Sequence, residues 1–130
     1  MNGRAMLHHV DIHVRNLDAA RALFDGLADA IGYRPLANDP DFAGYETIAG
    51  GRPRFGLILD PAHRAGSMRV AFAVKTRAEV DAAARVAARH GARAIEGPGL
   101  HPEYGDYYAV FFEDADGNRF EITTGGAAGA

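Results

Sequence analysis

The stretches HVDIHVRN at 9–16 and RVAFAVKT at 69–76 decide the fold that this sequence predicts. In both, apolar residues occupy every second position, which is typical of a strand with one face against a core. Val10 corresponds to Val70, and the residues that follow continue to match at the same spacing of 60 residues. A match at fixed spacing indicates an internal duplication.

Each of these strands runs into a predicted helix. Asn16 is suited to cap the first helix, and Thr76 with Glu79 forms a capping box before the second. Gly32 and Gly91 are placed to end the two helices, because glycine readily adopts the left-handed conformation that follows a helix. The duplication therefore extends from the strands to the helices.

The end of each copy also matches. RFGLI at 54–58 resembles RFEIT at 119–123, and the spacing grows to 65 because the second copy contains a longer loop at 97–106. Two more strands fit between the helix and the last strand of each copy. Their predicted ranges are 33–37 and 43–48 in the first copy, and 93–96 and 107–112 in the second.

These elements predict an α+β fold of two βαβββ modules. One module alone leaves an apolar sheet face uncovered, so we expect the two curled mixed sheets to surround a shared cavity, with the helices outside. Residues 1–130 form a single predicted domain, with modules at about 6–60 and 67–124 and a flexible tail at 125–130.

A polar row on three strands faces away from the predicted helices. Successive side chains of a strand point to opposite faces, and the polar rows predicted in this way comprise His9, Asp11, His13, Arg69, Glu121 and Thr123. The repeat pairs His9 with Arg69 and Gly56 with Glu121, so the duplicated site is asymmetric. A single polar residue of this kind in a strand commonly has only a structural role. The convergence of three polar rows favours a functional cavity.

Composition excludes several classes of function. The net charge is −3, and the 14 basic residues are scattered rather than clustered, which argues against nucleic-acid binding. No apolar run is long enough to span a membrane, and the stretch MNGRAMLHHV lacks the apolar centre of a signal peptide, so we expect a cytoplasmic protein. The absence of cysteine excludes disulfides and cysteine-ligated metals.

Over residues 6–124 the sequence resembles the vicinal oxygen chelate superfamily, which includes glyoxalases, bleomycin-resistance proteins and extradiol dioxygenases. The resemblance rests on LHHVDIHVRNLDAARALFD at 7–25, RVAFAV at 69–74 and YYAVFFEDADGNRFEI at 107–122. The last is the most specific: family members have a DPDGN turn before a strand that carries a ligand glutamate, and here Ala115 replaces the proline.

The resemblance implies a divalent metal held by two histidines and a glutamate. His9 and Glu121 match two of these ligands, but Arg69 stands at the second histidine position and cannot coordinate, because guanidinium keeps its proton. Asp11 is a possible third ligand. Alternatively, Arg69 pairs with Glu121 and supplies the positive charge in place of the metal.

The resemblance also implies which residues contact a small-molecule ligand. The register of the family places Tyr107 and Phe111 on the cavity face, and His101 and Tyr104 lie in the loop expected to cover its mouth. With Arg69 and His13 they form the predicted substrate-binding set. Family members often form homodimers, so a homodimer is implied as well.

Two functions remain open. The first is a metal-dependent lyase, isomerase or oxygenase that acts on a small anionic molecule, with His9 and Glu121 as metal ligands or Glu121 as base, and Arg69 beside them. The alternative is a metal-free small-molecule-binding or antibiotic-sequestering protein in which Arg69 replaces the metal, with His9 or His13 available as base. A purely structural domain is disfavoured, because buried charge is costly unless it is used.

Overall fold

Each half of the chain folds as a strand, a helix and three further strands. The computed structural model describes residues 5–125, so the predicted flexible tail, apart from Gly125, lies outside the described residues. The first module contains β1 (His9–Val14), α1 (Leu17–Leu27), β2 (Tyr33–Asp39), β3 (Phe42–Thr47) and β4 (Gly51–Leu59). The second contains β5 (Arg69–Ala73), α2 (Arg77–Arg89), β6 (Arg93–Leu100), β7 (Tyr108–Glu113) and β8 (Arg119–Thr123).

The two modules form four-stranded sheets with the same topology. The strand orders are β1-β4-β3-β2 and β5-β8-β7-β6, with the first pair of each sheet parallel and the other pairs antiparallel. Asp11 is paired with Gly56 in the first sheet, and Ala71 with Glu121 in the second. Gly56 and Glu121 therefore occupy equivalent positions, as the repeat predicts, and the α+β two-module fold is confirmed.

The predicted helix caps are present. The side chain of Asn16 accepts a hydrogen bond from the Ala19 amide at 3.0 Å, and Thr76 and Glu79 form a reciprocal capping box. The first helix continues into a 3-10 turn and ends at Gly32, whose φ of +79° is left-handed. Among the described residues, no helix is long and apolar enough to cross a membrane.

Strand β6 is longer than predicted. It runs from Arg93 to Leu100, whereas the sequence pattern ends it at residue 96 and begins a loop at 97. The register with β7 shifts on both sides of Glu96, and Ala94 has a left-handed φ of +50°. These bulges let the strand continue through a Gly- and Pro-containing segment that local pattern assigns to a loop.

One aromatic core joins the two modules. Phe24 of α1 is fully buried and packs against Phe55 of the first sheet and Phe120 of the second, with ring centroids 5.3 and 5.0 Å apart. Phe55 also contacts Phe72 of the second sheet directly, at 5.2 Å. The apolar faces of both sheets therefore meet around Phe24, and the polar faces point away from this core.

Because Phe24 contacts both sheets, we expect Phe24→Ala to destabilise the whole domain by about 3 to 5 kcal/mol, the usual cost of a large buried cavity. Urea unfolding measures the change. Ile48→Ala is the control: Ile48 is 50% exposed, so its removal changes the free energy of unfolding by only about 0.5 kcal/mol. Equal effects of the two substitutions would contradict a core centred on Phe24.

Candidate functional site

Five of the predicted site residues line one cavity on the polar face of the second sheet. This cavity, which we call the Arg69 cavity, has a volume of about 400 Å³ and is lined by Arg69, Tyr104, Tyr107, Phe111 and Glu121. Strand pairing places Phe111 of β7 beside Glu121 of β8, and Ala71 of β5 on its other side. The small side chain of Ala71 leaves the space in front of the carboxylate open.

Glu121 is a buried carboxylate with a tyrosine as its partner. Glu121 is only 6% exposed, and the Tyr107 hydroxyl donates a hydrogen bond to its Oε2 atom. Burial raises the pKa of Tyr107, and the negative Glu121 raises it further, so the phenol keeps its proton near neutral pH. Tyr107 thus holds one carboxylate oxygen in place.

The guanidinium of Arg69 lies on the ring of Phe111, with Cζ 4.8 Å from the ring centroid. Among the described residues it forms no ion pair with Glu121, so the direct pairing considered from the sequence is not observed. The Phe111 ring presents an aromatic face to the cation. The Tyr107 hydroxyl already donates a hydrogen bond to one oxygen of the Glu121 carboxylate. The N–H groups of Arg69 are therefore available to a ligand in the cavity.

An aromatic rim borders the Arg69 cavity. The His101 ring lies 5.3 Å from that of Phe111, and the Tyr104 ring lies 5.3 Å from that of Tyr107, both measured between centroids. Tyr104 ends a 3-10 turn that follows β6 and is 62% exposed. The loop thus brings His101 and Tyr104 to the cavity edge, where flat apolar surfaces are available to a ligand.

His9 and Asp11 line a different cavity, on the polar face of the first sheet. This His9 cavity has a volume of about 250 Å³. His9 Nε2 lies 3.6 Å from Asp11 Oδ2, and both side chains are about half exposed. The ring of Phe42 covers Gly56: a Cβ built on this glycine would lie only 2.7 Å from it. An aromatic ring therefore occupies the first-sheet position that corresponds to the Glu121 side chain.

Within one chain, the structure does not bring His9 into the cavity of Arg69 and Glu121. The reason is the docking of the modules: their apolar faces meet in one core, so their polar faces line separate cavities that share no residue. Alternation along a strand predicts which side chains share a face, but it does not predict how two sheets dock. The expected convergence of the three groups is absent from the single chain.

His13 lies in a third cavity, between the modules. This inter-module cavity has a volume of about 180 Å³ and is lined by residues of β1, β5 and β8. His13 Nδ1 is 2.9 Å from Asp60 Oδ2, and this hydrogen bond lowers the pKa of Asp60. His63, near this pair, contacts Asn118. The sequence pattern gave no role to Asp60, His63 or Asn118; of the three, only Asn118 lies in a recognised motif, the DADGN turn.

The polar row that starts at His9 continues across the first sheet as a charge network that the sequence analysis also missed. Glu46 is buried and lies 2.9 Å from Arg34 and 3.8 Å from Arg54. Arg54 is the register partner of His9. The repeat aligns Arg54 with Arg119, and Arg119 is paired with Glu113 in the second sheet. Extending the alignment to the central strands would therefore have predicted a glutamate beside Arg54.

The donors present in one chain do not fit the expected metal centre. No group of three or more His, Asp or Glu side chains in residues 5–125 is arranged to hold an ion. Arg69 stands where a histidine ligand would be needed, and Glu121 Oε2 accepts a hydrogen bond from Tyr107. The positive charge in this cavity comes from the guanidinium.

The family of the chain follows from comparison of its sequence with family models. Residues 6–122 match the model of the Glyoxalase/Bleomycin resistance protein/Dioxygenase superfamily. The chain belongs to this superfamily. Comparison with curated proteins gave no match.

Solved structures of this superfamily share the fold. A glyoxalase/bleomycin resistance protein from Albidiferax ferrireducens T118 has a TM-score of 0.76 at 23% identity, covering 92% of this chain and 98% of that one. A putative glyoxalase from Bacillus halodurans has a TM-score of 0.75 at 25% identity, covering 92% and 96%. The fosfomycin resistance protein FosX from Listeria monocytogenes, complexed with Mn(II) and sulfate, has a TM-score of 0.71 at 16% identity, covering 97% and 94%.

The Tyr107–Glu121 hydrogen bond can be tested by titration of the phenol. We expect Glu121→Gln to lower the pKa of Tyr107, because the negative partner that disfavours the phenolate is removed while the burial remains. Carbon-13 NMR of labelled tyrosine rings measures the pKa. Asp81→Asn is the matched control, since Asp81 raises the pKa of Tyr108 instead. An unchanged Tyr107 titration in Glu121→Gln would refute this contact.

Proposed function

We propose that this superfamily member binds a small anionic, partly aromatic molecule in the Arg69 cavity and uses the guanidinium of Arg69 in place of a metal ion. The observation that carries the proposal is the position of Arg69: it lies on Phe111, lines the same cavity as the buried Glu121, and makes no ion pair with it. A cation that has no ionic partner within residues 5–125 and lies beside an open cavity favours an anionic ligand.

Recognition would combine one charged and several aromatic contacts. A carboxylate or enolate accepts two parallel N–H bonds from a guanidinium, which fixes its orientation. A flat apolar part of the ligand would lie against the rings of Tyr107 and Phe111, with Tyr104 and His101 at the edge. This combination favours aryl or unsaturated carboxylates over small mineral anions.

If the bound molecule reacts, the geometry supports proton transfer next to a carbonyl group. Glu121 Oε1, the oxygen that Tyr107 does not contact, would accept the proton as the C–H bond breaks. The electron pair would move to the carbonyl oxygen, and Arg69 would stabilise the resulting enolate. Return of the proton to another carbon gives an isomerase, and loss of a leaving group gives a lyase.

We also propose that the working form is a homodimer in which two half-sites meet. The His9 cavity and the Arg69 cavity share no lining residue, and each includes an exposed apolar side chain, Leu36 in the first and Tyr104 in the second. In a two-fold dimer the same two surfaces of each copy meet twice. Pairing the first sheet of one copy with the second sheet of the other would bring His9 to Arg69 and Glu121.

The second candidate is a metal-dependent lyase, isomerase or oxygenase. It is favoured by the presence of both His9 and Glu121, which such a dimer would bring together, and by the Mn(II) in the FosX structure. Metal analysis of the purified protein separates the candidates. An equimolar divalent ion that is lost in His9→Ala would support the metal-dependent enzyme and contradict the role given to Arg69.

Binding of benzoate and acetate tests the anion site. We expect benzoate to bind more tightly than acetate, because only benzoate can lie against the aromatic rim. Arg69→Ala should weaken benzoate binding roughly 10-fold to 100-fold, because the hydrogen bonds between the guanidinium and the carboxylate are lost. Arg85→Ala is the control, because Arg85 is an exposed residue of α2 that does not line the Arg69 cavity. Unchanged benzoate affinity in Arg69→Ala, measured by calorimetry, would overturn the proposal.

Thiol cross-linking tests the dimer, since the chain has no cysteine of its own. His9→Cys combined with Ala71→Cys should give a covalent dimer with a short bismaleimide reagent, because residue 71 lies beside Glu121. His9→Cys combined with Arg85→Cys should not, because Arg85 lies on α2 and lines neither the His9 cavity nor the Arg69 cavity. Gel electrophoresis reads the result, and sedimentation gives the native mass. A monomeric protein without cross-linking would exclude the composite site.

A further inference from the structure

The inter-module cavity contains two histidines that the proposed function does not use. His13 comes from β1, and His63 comes from the segment that connects β4 to β5. Both rings line this cavity of about 180 Å³, whose apolar walls include Val70 and Phe120. The inter-module cavity shares no lining residue with the Arg69 cavity.

The hydrogen bond of His13 identifies its free nitrogen. Nδ1 lies 2.9 Å from Asp60 Oδ2, and an ionised carboxylate can only accept a hydrogen bond. Nδ1 therefore carries the hydrogen and donates it to Asp60. In the neutral ring, Nε2 is left with an unshared electron pair.

The surroundings of Asn118 identify the free nitrogen of His63. Asn118 Nδ2 donates to Asp114 Oδ2 at 2.8 Å and to the His13 carbonyl at 3.0 Å, so the orientation of the amide is fixed by two acceptors. Asn118 Oδ1 must then accept the hydrogen bond that joins it to His63 Nε2 at 2.8 Å. The unshared pair of His63 is therefore on Nδ1.

The separation of the rings suits a single bound ion. The centroids of His13 and His63 lie 6.1 Å apart. An imidazole nitrogen binds Zn(II) at about 2.0 to 2.1 Å, so two rings on one ion have centroids roughly 5 to 6.5 Å apart, depending on the angle at the metal. The observed separation of the two centroids therefore falls within the range for two imidazoles bound to one ion.

We propose that His13 and His63 bind a divalent transition-metal ion, Zn(II), Ni(II) or Cu(II), between the two modules. Metal-bound histidines characteristically donate their second N–H to a carboxylate or carbonyl oxygen, and here Asp60 and Asn118 hold the two rings in this way. Because residues 5–125 offer no arranged set of three or more acidic or histidine ligands, water or a small anion completes the coordination.

The charges around the cavity favour a cation. Asp11 and Arg119 both line it and oppose each other, while Asp60 leaves a negative charge beside the imidazole of His13. Two neutral imidazoles select borderline ions of the zinc and copper type, with Cu(II) the tightest in the divalent series. Mg²⁺ and Ca²⁺ prefer oxygen ligands and are not expected to compete.

The test measures binding of Zn(II) and Cu(II) to the full chain. Calorimetry with Zn(II) should show a site that weakens at least about tenfold in His13→Ala and in His63→Gln, since each removes one imidazole. Glutamine at residue 63 can still donate to Asn118 Oδ1, so this variant keeps the hydrogen bond and the fold. Electron paramagnetic resonance of the Cu(II) protein should show coupling to two imidazole nitrogens, reduced to one in His63→Gln.

His9→Ala is the matched control, because it removes a histidine of the other candidate metal site. The proposal predicts that His9→Ala leaves this ion in place. Zn(II) and Cu(II) binding that is unaffected by His63→Gln and His13→Ala would overturn the proposal, as would binding lost only in His9→Ala. If no metal binds to His13 and His63, the expected binding of benzoate at Arg69 does not change, so the two sites are tested independently.

Discussion

The packing of aromatic rings around Phe24 is the constraint on which the rest of the structure depends. Burial of large apolar side chains is the dominant favourable term in folding, and here rings from both modules contribute to one cluster. Once the apolar faces of the two sheets are joined in this way, their polar faces must open elsewhere. The division of the candidate site between two cavities is thus a direct consequence of how the core is formed.

Duplication of the module left two equivalent faces that now carry different chemistry. The backbone register is the same in both, with Gly56 and Glu121 at corresponding positions. The Arg69 cavity of the second sheet is lined by a buried carboxylate and a guanidinium, whereas the His9 cavity of the first is lined by an imidazole, an aspartate and the guanidinium of Arg54. Two copies of one scaffold thereby supply different groups at corresponding positions.

Much of this arrangement could be predicted from the sequence, because local rules act within each module. Alternation assigned Glu121 and Arg69 to one face, and capping residues located both helices. The docking of the modules could not be predicted, since a strand pattern carries no information about which sheet lies opposite. The contacts of His13 with Asp60 and of His63 with Asn118 were missed for the same reason: they join segments about 50 residues apart that follow no periodic pattern.

The contact of the Phe42 ring with Gly56 limits which side chains residue 56 can carry. Because a Cβ at residue 56 would lie 2.7 Å from the Phe42 ring, glutamate cannot be introduced there while the ring stays in place. An acidic side chain at residue 56 therefore requires the Phe42 ring to move aside, so the chemistry of the two halves differs because of a neighbouring strand as well as the position itself.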